Sequence, residues 1–221
     1  MTHPISETGA AAQPKAESFV DWFQINSRLV SIGAIVVVAI AFGVWFVQRT
    51  SLNETISADK QLLTAKQSLN SGNAPLAEAD LKKVAEKYGD KPAGTEAGLL
   101  LAQMKLDKGD FKGAIADLTS LSGKVGSGPS AAGVRGLLGD ATAQSDKPAE
   151  AAVEYEKAAA LAMGPNQKAY WRAKAGRAYL LAGKVPEGRK IFEELAAQSD
   201  NDAAATEARV RLGEISIGAK R

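Results

Sequence analysis

Cysteine is absent from the 221 residues and histidine occurs once, as His3. The first absence removes disulfides and thiolate chemistry, and it fits an oxidising exported compartment or a reducing one equally well. The second leaves the folded part of the chain without a histidine triad, a histidine general base or a His-rich metal site. An excess of one charge is missing too. The 27 Lys and Arg face 25 Asp and Glu, a formal net of +2, with no basic stripe of the kind nucleic-acid binding requires. Nucleic acid is therefore not an expected partner. Carboxylates, lysines and tyrosines remain, but they form no constellation beyond what a helical surface carries. The chain reads as a non-enzyme with no cofactor and no metal.

What the chain does have is one long apolar run. The stretch from Leu29 to Val47, LVSIGAIVVVAIAFGVWFV, holds no charge and no proline, and Ser31 is its only clearly polar side chain. As a helix it covers about 28 Å, against roughly 30 Å for the hydrocarbon core of a bilayer. Phe19, Trp22 and Phe23 precede the run and share one helical face, while Trp45 and Phe46 close it. Such rings favour the headgroup level, so these five are the expected membrane-interface residues. Arg28 and Arg49 bracket the run. Ala39 and Gly43 make a small-x-x-x-small pattern, which permits a second helix to approach, but the pattern is common by chance and is read as ordinary lipid-facing packing. The 28 residues before the run and the Gln48-Arg49-Thr50 after it do not fit a cleaved signal peptide, and no cysteine follows for lipid attachment. The expected organisation is an N-terminal tail with an aromatic segment over residues 1–28, a retained transmembrane helix over 29–48, and one soluble domain over 52–221.

The tail, MTHPISETGAAAQPKA, is too poor in apolar residues to fix a conformation alone. Beyond the run, alanine-rich helical segments alternate with Gly, Pro and Asn, and self-comparison gives a constant step of 37 residues. Ala77, Ala114, Ala151 and Gly188 open successive second helices, and four places later stand Leu81, Leu118, Tyr155 and Phe192. A small residue recurs in each first helix at Ala65, Ala102, Gly139, Gly176 and Gly213, and the turn within each pair carries Gly72, Gly109, Asp146 and Gly183. Small residues let two helices pack closely, the large one fills the space between them, and Gly or Asp makes the turn. The step predicts helix pairs 56–71 with 75–88, 95–108 with 112–122, 131–144 with 148–162 and 168–182 with 186–198. A single helix over 203–218 closes the stack. Pro75, Pro148 and Pro186 fall where a first helical turn accepts proline.

These markers resemble the tetratricopeptide repeat. The match is carried by Leu138-Gly139 and Leu212-Gly213, by Tyr179, by Gly109-Asp110-Phe111 followed by Ala114, and by Tyr155 or Phe192. The family period is 34; the excess is read as longer loops between repeats, around Gly126 to Pro129 and Gly164 to Asn166. The resemblance implies an all-α solenoid of about four helix pairs plus a capping helix, and a concave groove lined by first helices that binds peptides or proteins. Carried onto this sequence, the groove positions are Leu62, Lys66, Leu69, Leu99, Gln103, Leu106, Asp140, Tyr170, Arg177 and Leu180. Covering neighbouring repeats is the competing role for the same residues. The Lys and Asn clamp of chaperone-tail-binding relatives is not matched, because Leu62 and Leu69 stand where it needs polar groups.

Two other patterns are weaker. The run GKVGSGP from Gly123 to Pro129 lacks the spacing of a phosphate cradle, since Lys124 precedes Gly126 and Gly128 and Pro129 replaces the binding lysine. Gly133, Gly136 and Gly139 read as close helix packing. Arg135, Arg172 and Arg209 recur at the 37-residue step, either as stems packed along neighbouring helices or as a basic row.

A short tail, one early span and a repeat domain of this size together resemble the YfgM-like family of ancillary Sec translocon subunits. That resemblance implies a bacterial inner-membrane protein crossing once, with a cytoplasmic N-terminus and a periplasmic C-terminal domain. Its implied partners are an integral membrane complex, periplasmic proteins and the bilayer itself. Charge does not fix the orientation, because Lys15 and Arg28 on one side are balanced by Arg49 and Lys60 on the other. The same architecture suits an accessory structural subunit of another large inner-membrane complex, respiratory or photosynthetic, or a scaffold for envelope assembly.

Overall fold

The computed structural model describes residues 27–198 and 203–218, and among them nine helices and no strand. They are α1 Ser27–Asn70, α2 Ala74–Lys87, α3 Pro92–Asp107, α4 Phe111–Val125, α5 Ala131–Gln144, α6 Pro148–Ala160, α7 Pro165–Leu181, α8 Val185–Ala196 and α9 Ala203–Gly218. Two compact units divide between Asn53 and Glu54. Phe19, Trp22 and Phe23, expected at a membrane interface, lie outside the described residues.

One difference from the sequence reading is in α1, which is a single helix of 44 residues where two were expected. Between Val47 and Ile56 there is neither Gly nor Pro to stop it. Thr50 Oγ1 donates to the Phe46 carbonyl at 2.9 Å, turning the hydroxyl back onto the helix. In the first unit Leu29, Ile35, Trp45 and Phe46 are all more than half exposed.

The second unit is built from hairpins of helices whose turns are alike. Gly72, Gly109, Asp146 and Gly183 all have positive φ, at 78°, 77°, 57° and 72°. The amide of the next residue donates five residues back, Asn73 to Ser68, Asp110 to Lys105, Lys147 to Thr142 and Lys184 to Tyr179, at 2.8 to 3.2 Å. This is the Schellman arrangement that satisfies carbonyls at a helix end. The same residue then caps the following helix: Asn73 accepts from the Leu76 amide and Asp110 from the Gly113 amide. Proline stands in the first turn of α2, α3, α6, α7 and α8, where its missing N–H has no partner to lose. Pro165 is one of them, so the stretch at Gly164 to Asn166, expected as extra loop, instead opens α7. Gly126 to Pro129 is loop between α4 and α5.

Each helix from α2 onward packs on the next, and the odd helices also meet, α3 against α5 and α7 against α9. Three apolar clusters fill the stack, the first joining Leu62 and Ala65 of α1 to Leu81 and Val84 of α2, the others centred on Leu118 and Phe192. Leu81, Leu118, Phe192 and Leu195 are completely buried, each stabilising the fold by about 1.5–3 kcal/mol relative to exposure.

The small first-helix residue and the large second-helix residue of each repeat meet where the step places them. A methyl group at Gly139 would lie 2.6 Å from the Tyr155 ring, and one at Gly176 would lie 2.9 Å from the Phe192 ring. Gly136 stands in the same relation to Trp171, at 2.1 Å, whereas Gly133 has open space.

Candidate functional site

The face carried by the odd helices is crossed by polar bridges that obey the repeat. Lys66 of α1 pairs with Glu96 of α3, thirty residues on. One hundred and eleven residues later, three steps of the repeat, Arg177 of α7 pairs with Glu207 of α9 at 3.0 Å. At the joint between α5 and α7 the positions are held by Asp140 and Tyr170, and here Lys174 pairs with Asp140. At the joint between α3 and α5 the positions are Gln103 and Gly133. Gln103 turns along its own helix and donates to Asp107 at 2.8 Å.

The α5–α7 joint is the most elaborate. Asp140 Oδ1 accepts from the Lys174 ammonium and from the Tyr155 hydroxyl. The ammonium lies 5.2 Å from the Tyr155 ring centre and 5.5 Å from those of Tyr170 and Trp171, within cation–π range. Tyr170 meets Trp171 edge-on at 4.7 Å. Burial, reinforced by the bond to Asp140, pushes the Tyr155 phenol well above its ordinary value. On the neighbouring surface burial and the bond to Glu156 push Tyr179 up to about 12. Both phenols remain protonated donors at any physiological pH. The Trp171 Nε1 is buried and has no hydrogen-bond partner among the described residues.

The expected groove residues separate into three sets. Leu62 and Leu106 are core residues at 5 % exposure, packed into two of the apolar clusters. Leu69, Leu99 and Leu180 are partly buried against the same clusters. Lys66, Asp140 and Arg177 reach the surface but are engaged in the bridges above. Gln103 is exposed and Tyr170 is half exposed. The arginine ladder is engaged too: Arg135 pairs with Glu154 at 2.9 Å, Arg172 pairs with Glu194, holding that carboxyl below its usual range, and Arg209 donates to the Ala196 carbonyl.

Trp171 and Lys174 were not singled out by the sequence, because their equivalents one step earlier are Val134 and Leu137, so the cluster does not repeat. Asp140, Tyr170 and Tyr155 were named for other reasons, and Gly136, which lies against Trp171, was the trace of the indole. Among the described residues no group of three His, Cys, Asp or Glu is placed to hold a metal.

Helix hairpins stacked at a constant step, each closed by a left-handed turn residue and bridged along one face, define an α-helical repeat solenoid. The model of the tetratricopeptide repeat-like domain matches residues 20–129 and again residues 60–176, and the chain belongs to that family. A crystal structure of nearly identical TPR-like repeats from a Podosopora anserina protein assigned as a kinesin light chain superimposes with a TM-score of 0.59 at 16 % identity, covering 74 % of this chain and 87 % of that one. A second crystal structure, of a glutamine-to-methionine variant of the same repeats, gives the same values. At this identity the likeness is one of fold. No curated protein is a significant match. Repeats of this family serve as protein-interaction scaffolds and are generally not enzymes.

Proposed function

We propose that the protein is a membrane-anchored interaction scaffold, with α1 as its anchor and the repeats as a docking surface for other proteins. The observation that carries this reading is the apolar segment of α1. Its mean hydropathy is 2.6 and none of it is buried, so it is long and apolar enough to cross a membrane. Water is a poor solvent for such a segment, and a bilayer satisfies it without a protein partner. Trp45 and Phe46, both exposed, then sit at one interface. Tethering confines the repeats to a thin layer at the membrane, where weak contacts gain from high effective concentration.

Among membrane complexes, the Sec translocon and its periplasmic chaperones are the partners that the likeness to the YfgM-like family supports. The tail then lies in the cytoplasm and the repeats in the periplasm. On this reading the protein stays in the pellet after alkaline carbonate extraction of inner membranes. The repeats become accessible to protease when the outer membrane is opened, and crosslinking recovers translocon or chaperone subunits. Release into the carbonate supernatant sinks the anchor, and crosslinks to other complexes alone sink the translocon assignment.

A further inference from the structure

Two opposite faces of the last helix are uncharged, and among the described residues only one of them is covered. Ala205 and Ala208 of α9 are fully buried, and Leu212 and Ile215 pack on the cluster centred on Phe192. The opposite face carries Thr206, Val210, Gly213 and Ile217, spaced four, three and four residues apart and all exposed, Val210 by 57 % and Ile217 by 61 %. At the 37-residue step these four correspond to Ala58, Leu62, Ala65 and Leu69 of α1 and to the same places in α3, α5 and α7, where every residue is buried or partly buried. In four repeats this face is interior, and in the fifth it is open. A repeat that ends a stack ordinarily turns a polar face outward, and a helix with apolar residues on opposite sides is one that packs on both. By that measure α9 is an inner helix.

We propose that a second copy of the chain covers this face, the two α9 helices packing antiparallel about a twofold axis at the level between Arg211 and Leu212. The register follows from size. With the axis there, Val210 of each copy seats on Gly213 of the other, where nothing lies within 4 Å of the missing side chain, and Ile217 of each meets Thr206 of the other. Large meets small in both layers, as Tyr155 meets Gly139 and Phe192 meets Gly176 inside the chain. The face is its own complement, which a twofold pair needs and a contact with an unrelated helix does not. On one flank Glu207 and Glu214 come opposite each other, but each brings a cation, Arg177 and Arg211 for the first and Arg211 for the second, so no bare like charges meet. A parallel pair would set Gly213 on Gly213 between layers of larger side chains, and the gap disfavours it. One pair of 16-residue helices is a small interface, so the association is weak and reversible.

The chain has no native cysteine, so introduced ones report without background. Full-length protein is purified in mild detergent as two tagged forms, Thr206→Cys and Ile217→Cys, which are mixed and oxidised with copper phenanthroline. A disulfide between the two forms is expected to appear about tenfold faster than one within either form alone, because the antiparallel register sets 206 beside 217 and holds like positions about 16 Å apart along the helix. Gly213→Leu fills the seat of Val210 and should slow that reaction about tenfold. Its own site is open space, so the melting temperature should be unchanged or higher and loss of folding cannot mimic the result. Disulfides forming fastest within each form would reveal a parallel pair and overturn the proposal, as would the absence of any disulfide or a rate indifferent to Gly213→Leu. So would oxidation in native membranes that links the Ile217→Cys form to a different protein and not to the Thr206→Cys form. None of these outcomes bears on the membrane reading, which carbonate extraction tests separately.

Discussion

The first two repeats and the next two solve one packing problem in different ways. In the former, Ala65 faces Leu81 and Ala102 faces Leu118; in the latter, Gly139 faces Tyr155 and Gly176 faces Phe192. As the second-helix residue grows from leucine to a ring, the first-helix residue gives up its methyl group. The quantity preserved is the summed volume between two helices, which fixes their separation, rather than the identity of either residue. In the aromatic half Tyr155 also donates to Asp140, and that joint carries Asp140, Lys174, Tyr170 and Trp171 in one cluster.

The sharpest way to break this comparison is to exchange the solutions. Gly176→Ala should destabilise by about 1–3 kcal/mol through overpacking against Phe192, and Phe192→Leu in the same chain should recover most of it by recreating the Ala102 and Leu118 pair. A double-mutant cycle in urea measures the coupling. Additive losses would show that the two residues do not share one volume.

The turns give a smaller effect, with a change of sign at the one hairpin turn that lacks glycine. Gly109→Ala forces a side chain into the left-handed region and should cost about 1–2 kcal/mol. Asp146→Gly, at the one non-glycine residue with positive φ among those described, relieves that cost but adds freedom to the unfolded chain worth about 0.4–1 kcal/mol. Its net effect should be a stabilisation below about 1 kcal/mol, read from the same denaturation curves.

Alkaline pH should reveal the smallest difference. Tyr155 and Tyr179 are held protonated in the folded state, above the ordinary phenol value. Their stabilisation is complete below pH about 10, where the unfolded phenols begin to ionise, and is lost as pH rises toward the raised folded values. Amide exchange should therefore accelerate in α5 to α8 before α2 to α4 as pH passes 10, and Tyr155→Phe with Tyr179→Phe should flatten the difference.

Much of this architecture was legible because it repeats. The 37-residue step located every hairpin turn described, and the small and large residues at fixed positions anticipated which groups would touch. What failed to show was anything that depends on the stagger between neighbouring odd helices. Leu62 and Leu106 sit at the expected positions, yet they are packed into two of the apolar clusters. Lys66 with Glu96 and Arg177 with Glu207 share a thirty-residue offset that lies in plain view once the bridges are known. It could not be chosen in advance over other offsets. The Lys174 cluster was hidden because it belongs to one joint only.

The hairpin turns also set where the chain tolerates a change in length. Three residues separate the helices of each pair, 71–73, 108–110, 145–147 and 182–184, and the last of the three both closes one helix and opens the next. An inserted residue there would rotate everything downstream out of phase, whereas the segments between pairs, such as 126–130, have no such dual duty. A reporter peptide or cleavage site spliced after Gly128 would leave the stack intact, and one spliced after Gly109 would not.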